Sequence, residues 1–323
     1  MRKKIIRKIK FTDRFFSIIF LLIPSTWAGS FIAGKYVVAD VDPIPSVFFR
    51  FLLSAFLMLP GLLLFHRHRH PPIMKKTFQK HLIIVVLTAG IGYHILFFWA
   101  LKYTSPTDTA LIIALNPFFT ALGEIIFLRK TRTTRFYAGF ILAFAGAIWV
   151  NLSRGGGFKL TLPGLGEALC LGASLCWSIY TITAKLTKHP QWDPLWINAY
   201  NYLFTALLML PFMGRVLTME HLKSISYSAW TGLWYMAIFP TAIGYTFYYI
   251  GIQKKGPAWA ATFIYVVPSI TAGLDHLFFK AILSLPMILG TTLVVLGLLI
   301  GNLNLEMIRI GNGQFNNSSR TLK

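Results

Sequence analysis

Apolar residues run along this chain in long stretches separated by short polar breaks. A helix needs roughly 20 apolar residues to cross a bilayer. Ten stretches approach that length: 15–38, 45–66, 81–101, 107–128, 134–152, 164–186, 195–214, 229–252, 258–279 and 284–303. Backbone polar groups in lipid must bond within their own segment, so the pattern predicts helices. The breaks carry turn chemistry, at Asp42-Pro43, Ser105-Pro106, Gly155-Gly156-Gly157 and Gly256-Pro257, and short breaks make neighbouring helices antiparallel. The basic start followed by Phe15 to Val38 imitates a signal peptide, but that run is too long for a signal h-region. It reads as a retained first helix.

Self-comparison adds an internal repeat. Shifted by 151 positions, Leu52 falls on Leu203, Ala55 on Ala206, Met58 on Met209 and Pro60 on Pro211. Pro106 falls on Pro257, Pro117 on Pro268, Glu124 on Asp275, Arg129 on Lys280, Gly139 on Gly290 and Gly146 on Gly297. With one residue of slip, Trp27 meets Trp177 and Lys35 meets Lys185. Chance hydrophobicity does not match Pro, Gly and charge. Each repeat holds five predicted helices, an odd number, so the second half is inverted relative to the first. The expected fold class is an all-α polytopic membrane protein, with ten transmembrane helices as two inverted five-helix repeats. Its expected parts are a basic cytoplasmic N-terminus (1–14), repeats at 15–152 and 164–303, an outer linker (153–163) and a disordered cytoplasmic tail (304–323).

Composition agrees: of 323 residues, 55% are hydrophobic and 13% charged, too apolar for a soluble domain or a disordered chain. The net charge of +21 would suggest nucleic acid on a soluble chain. Here the basic residues sit at helix ends, and no nucleic-acid partner is expected. With a cytoplasmic N-terminus, 22 of the 31 Lys and Arg fall on inner segments and 6 on outer loops, which predicts a multi-pass protein of the cell (inner) membrane with both termini cytoplasmic. Cys170 and Cys176 read as packing residues. His66, His68 and His70 alternate with Arg67 and Arg69, whose charge repels a cation, so no metal is expected. Gly29 to Lys35 imitates a phosphate-binding loop, but Tyr36 stands where Ser or Thr is needed and the segment lies in an apolar span. No cofactor is expected.

Trp27-Ala28-Gly29-Ser30-Phe31, Arg50-Phe51-Leu52, Ala100 through Ser105, Asn116-Pro117-Phe118, Gly139 through Gly146, Trp177-Ser178-Ile179-Tyr180, Pro268 and Gly290 through Gly297 together carry a resemblance. The chain resembles the drug/metabolite transporter superfamily in its ten-helix branch with two EamA-like halves. That resemblance implies a membrane transporter, commonly an exporter of amino acids and related metabolites. The chain departs from the family pattern at Lys130 and Ala281, where a Glu is usual. Acids stand instead seven residues after the prolines, as Glu124 and Asp275.

Ionisable residues inside spans are functional candidates. Counting rise along the helices puts Lys35, Arg50 and Asp275 in the outer third and Lys185 and Glu124 in the inner third. The expectation is two ionic gates, Arg50 or Lys35 with Asp275 outside and Lys185 with Glu124 inside. Buried carboxylates hold protons more tightly, which makes either acid a candidate for proton coupling. Snorkelling of the cations and a static structural role for the acids are the competing readings. A substrate cavity is expected from Trp27, Tyr93, His94, Asn116, Trp177, Tyr180, Asn201, Tyr245, Tyr248, Tyr249 and Tyr265. Tyr245, Tyr248 and Tyr249 share one helix face by spacing. Pro117 and Pro268 are candidate hinges, since each removes a backbone donor at the same repeat position. The functional expectation is secondary-active export of a small organic metabolite by alternating access between the repeats. A membrane enzyme and a lipid- or partner-binding scaffold are the alternatives, and monomer and homodimer both stay open.

Overall fold

The computed structural model describes residues 13–66, 75–129, 133–152, 164–186, 192–282 and 285–302. The N-terminal basic run up to residue 12, His68, His70, Lys130, the 153–163 linker and the tail beyond residue 302 lie outside the described residues.

Ten helical stretches follow one another among the described residues. They are α1 (Asp13–Asp40), α2 (Pro43–Phe65), α3 (Lys76–Tyr103), α4 (Pro106–Leu128), α5 (Thr134–Leu152), α6 (Leu165–Leu186), α7 (Pro194–Phe212), α8 (227–255), α9 (257–279) and α10 (Leu285–Asn302). No strand occurs among the described residues. By length and apolar composition alone, α2, α3, α4, α6 and α7 can each cross a bilayer. A short helix not predicted from the sequence, Met219–Ser224, lies between α7 and α8, where Thr218 Oγ1 accepts from the His221 N–H at 3.3 Å. Proline opens α2, α4, α7 and α9, at positions where a missing N–H costs nothing.

The helix pairing displays the repeat. Helices α2 and α7 pack on each other, as do α5 and α10, and each pair joins equivalent members of the two halves. Helices α1 and α6 are exchanged: α1 packs mainly on α8 and α9 of the second half, and α6 on α3 and α4 of the first. Between α5 and α10 the backbones nearly touch. A Cβ on Gly146 would stand 2.7 Å from the Val294 nitrogen and 2.8 Å from the Gly290 oxygen, so only a hydrogen fits there. Apolar side chains such as Phe56, Leu64, Ile126, Phe127 and Ile141 face outward, as lipid contact demands.

Irregularities also repeat. Wide π turns occupy Val86–Gly92 of α3 and Ala237–Tyr245 of α8, beginning 151 residues apart. Within the second, Pro240 has no N–H to give the preceding turn. Three carbonyls of this turn also accept from side chains of other helices: Pro240 O from Trp27 Nε1 (3.3 Å), Thr241 O from the Tyr202 hydroxyl (2.8 Å), and Ala237 O from Ser54 Oγ (3.2 Å). Such side chains give a widened turn polar contacts that lipid cannot supply. Helix α4 breaks at Ala114-Leu115 and restarts at Asn116, while α9 passes through the 3-10 turn Phe263–Val266 and restarts at Val267. Pro117 and Pro268 thus stand in the first turn of a restarted helix. At their other ends, α4 and α9 close on Arg129 (φ 51°) and Lys280 (φ 55°), whose N–H groups return to the Glu124 and Asp275 carbonyls.

Candidate functional site

The repeat mates Trp27 of α1 and Trp177 of α6 meet edge to face near the middle of the bundle, centroids 5.7 Å apart. Tyr245 packs tilted against Trp177 at 4.8 Å and Tyr93 at 4.9 Å. Gly244 admits Trp27, because a Cβ there would lie 2.8 Å from the indole nitrogen. These aromatics, with Arg50 and Asn116, line a cavity of about 30 Å³, room for roughly two water molecules.

Arg50 is 1% exposed. Its Nε donates to Thr241 Oγ1 (2.8 Å), Nη2 to the Tyr245 hydroxyl (3.2 Å) and Nη1 to Met236 Sδ (3.6 Å). The π turn of α8 carries both Thr241 and Tyr245, so that irregular stretch builds the guanidinium's seat. Tyr245 bridges on to His94 Nε2 at 2.9 Å, and His94 Nδ1 lies 3.0 Å from the Gly90 carbonyl. A carbonyl only accepts, so Nδ1 carries the proton. The tyrosine hydroxyl therefore donates to Nε2 of the neutral ring while accepting from Arg50.

The outer-gate expectation needs correction here. Arg50 does not pair with Asp275; its partners come from α8, because the α2 face that carries it points into the central cavity. Lys35 and Asp275 do line one cavity, of about 500 Å³, together with Lys102, Tyr103 and Asp108. Yet each is bonded elsewhere. The Lys35 ammonium donates to the Leu101 (2.7 Å) and Thr104 (3.0 Å) carbonyls at the end of α3, where helix-end partial charge favours a cation. Asp275 accepts from the Thr107 N–H (3.2 Å) and Oγ1 (2.5 Å) at the start of α4. This cavity begins about one turn of α1 beyond Phe31, which lines the central one.

At the opposite end, Glu124 is buried and Lys185 half-buried. Helix α4 is tied to α6 by Asn116, whose Nδ2 donates to the Ser174 carbonyl (2.9 Å) and Ser178 Oγ (2.7 Å). The Gln253 side-chain amide donates to the Ala184 carbonyl, joining α8 to α6.

The remaining candidates stand behind the cavity or away from it. Tyr248 packs on Trp27 (5.2 Å) and bonds Thr181 Oγ1 (3.2 Å). Tyr180 packs on Trp177 (5.1 Å), and its hydroxyl has no partner among the described residues. Tyr249 reaches His81 (3.1 Å), so the shared face expected for the three tyrosines fans out to three different partners. Asn201 was expected at the cavity; its Oδ1 instead bonds Thr205 (3.3 Å), and Gly90 packs against both. Tyr265, also expected there, is buried in a separate cluster with Leu111, Ala143 and Val294 beside α5 and α10, on the 3-10 turn of α9. Sequence reasoning missed Thr241, Met236 and Thr107, small or apolar residues with no signal of their own.

Residues 15–152 and 164–303 each match the EamA-like transporter family. The chain belongs to that family. This EamA-like protein is 28% identical to the uncharacterized transporter YyaM of Bacillus subtilis over 285 residues, 87% of this chain and 92% of that one. It is 27% identical to the uncharacterized inner membrane transporter YhbE of Escherichia coli, covering 80% of this chain and 78% of that one. A solved crystal structure, 19% identical in sequence, superposes on it with a TM-score of 0.65 over 88% of this chain and 96% of its own, which shows a shared fold. The EamA-like chain is thus a multi-pass membrane protein of a transporter family.

Proposed function

We propose that this EamA-like protein is a secondary-active exporter of amino acids or related small organic metabolites, working by alternating access. The observation that carries the reading is the central aromatic cavity, built where the repeat mates Trp27 and Trp177 meet and closed to about two waters in this conformation. The larger Lys35/Asp275 cavity is its vestibule on the outer side, given the inner bias of Lys and Arg that puts both termini in the cytoplasm. Lys35 and Asp275, and Lys185 and Glu124, are the charges that rearrange as the two ends alternate, and either acid serves as the site of proton coupling. Pro117 and Pro268 are the points where α4 and α9 bend. The outward direction rests on the family resemblance.

Flux of labelled carboxylates into proteoliposomes, with and without a proton gradient, tests the reading. Solute-specific uptake above empty vesicles is expected, reduced at least tenfold by Trp177→Ala. A folded, reconstituted protein that moves none of the solutes would refute transport. Full activity in Trp177→Ala would remove the cavity from the pathway.

A further inference from the structure

The central cavity holds hydrogen-bond donors that the protein leaves unanswered. A guanidinium carries five N–H groups. Arg50 spends three of them, on Thr241, Tyr245 and the weakly accepting sulfur of Met236, and all three partners are neutral. The other two N–H groups have no acceptor among the described residues. The indole N–H of Trp177, at 4% exposure, lies beside the Tyr248 hydroxyl but has no acceptor of hydrogen-bond geometry among the described residues. Both side chains line the cavity. Of the nearby acceptors, the Tyr245 oxygen is taken by Arg50 and His94 Nε2 by Tyr245, and the neutral Ser30 hydroxyl, which also lines the cavity, spends its proton on the Trp27 carbonyl. Asn116 directs its amide to α6. No Asp or Glu lines the cavity.

A guanidinium shut away from water without a counter-charge is strongly disfavoured. The group that answers a planar pair of N–H donors plus a third, neutral donor is a carboxylate. The rings of Trp27, Trp177 and Tyr93 offer apolar surface for the body attached to it. An ammonium on the same molecule would meet only ring faces, with a guanidinium nearby and no acid to balance either. Resting on the transport reading above, we infer that the central site selects an apolar organic monocarboxylate of net charge −1, bound through Arg50 and the Trp177 N–H, over the zwitterion, amine or amide of the same skeleton. Its entry parts Trp27 from Trp177, since the cavity of about 30 Å³ is too small for it.

Four probes sharing one skeleton isolate the charge: 3-phenylpropionate, phenylalanine, 3-phenylpropylamine and 3-phenylpropanamide. Their binding to the full-length protein in detergent is measured by calorimetry near neutral pH, and their flux separately in proteoliposomes. The expected result is 3-phenylpropionate binding at least tenfold tighter than the other three. Arg50→Gln should cost the carboxylate at least tenfold and the amide, whose carbonyl is a neutral acceptor, several-fold less. Trp177→Phe, which keeps a ring and removes the N–H, should cost a few-fold and covers the case in which the Arg50 variant fails to fold. Equal or tighter binding of phenylalanine or the amine, binding of none of the four, or an unchanged preference in both variants would overturn the inference. Flux without charge preference would sink this assignment and leave transport standing. Selective carboxylate binding without flux would do the reverse.

Discussion

Tyr245 and Tyr248 make a controlled comparison. They lie one turn apart on α8, both are 4% exposed or less, and both pack tilted against Trp177, at 4.8 and 5.5 Å. Replacing either by Phe keeps the ring and removes one hydroxyl. At Tyr248 that loses the bond to Thr181, whose hydroxyl keeps its bond to the Trp177 carbonyl (2.8 Å), and the approach of the Trp177 indole, both neutral partners. Side-chain hydrogen bonds in membrane proteins average about 0.6 kcal/mol and reach about 1.7. At Tyr245 the loss is double: the bond to His94, and one from a charged donor, worth about 1.5–3 kcal/mol. Tyr245→Phe should therefore cost about 2–4 kcal/mol and Tyr248→Phe about 0.6. Thermal unfolding in detergent, followed by tryptophan fluorescence, reads this as a drop of several degrees against one or two. His94→Leu should cost less in the Tyr245→Phe background than alone, since the ring nitrogen has already lost its partner. Equal shifts for the two Tyr variants, or strict additivity with His94→Leu, would show that the Arg50–Tyr245–His94 chain is not formed.

Two other substitutions probe the frame. Gly146→Ala puts a Cβ against backbone atoms of α10 that cannot turn aside, so the α5–α10 pair must separate; a loss of about 1–3 kcal/mol is expected in the same unfolding assay, and an unchanged midpoint would refute the close approach. Thr107→Val removes the hydroxyl bonded to Asp275 and should destabilise by about 1.5–3 kcal/mol, whereas Thr107→Ser should be near neutral; similar values for the two would mean that the hydroxyl contributes nothing.

Much of the fold was legible because a bilayer enforces it. Hydropathy placed the helices within a few residues, and matched prolines placed the restarts at Asn116 and Val267. The aromatic centre was legible in part, since Trp27 and Trp177 are repeat mates and mid-span. The destination of Arg50 was not. Rise along α2 orders Arg50 along its own helix, but that order leaves the facing partner open: Arg50 meets Thr241 and Tyr245 of α8, while Asp275 meets Thr107. The deciding element is the π turn of α8, which aims Thr241 and Tyr245 at the guanidinium. Its sequence signal, Pro240 in an apolar run, reads equally well as a simple kink. Asn201 and Tyr265 failed for a related reason, as periodicity fixes which residues share a face and not what that face meets.

The left-handed residues Arg129 and Lys280 have a consequence for how the chain is inserted. Both close a helix C-terminus, where a cation is favoured, and neither is the glycine that such a conformation prefers. In an inverted repeat one local solution is delivered to opposite faces of the bilayer. Whichever way the protein enters, one of these two basic caps lies on the side that topology rules would keep poor in positive charge. A duplicated half that carried its whole orientation signal in its caps would vote both ways and cancel. The tie must be broken by residues outside the repeated pattern, so the asymmetric basic segments govern insertion even where they contribute nothing to the packed bundle.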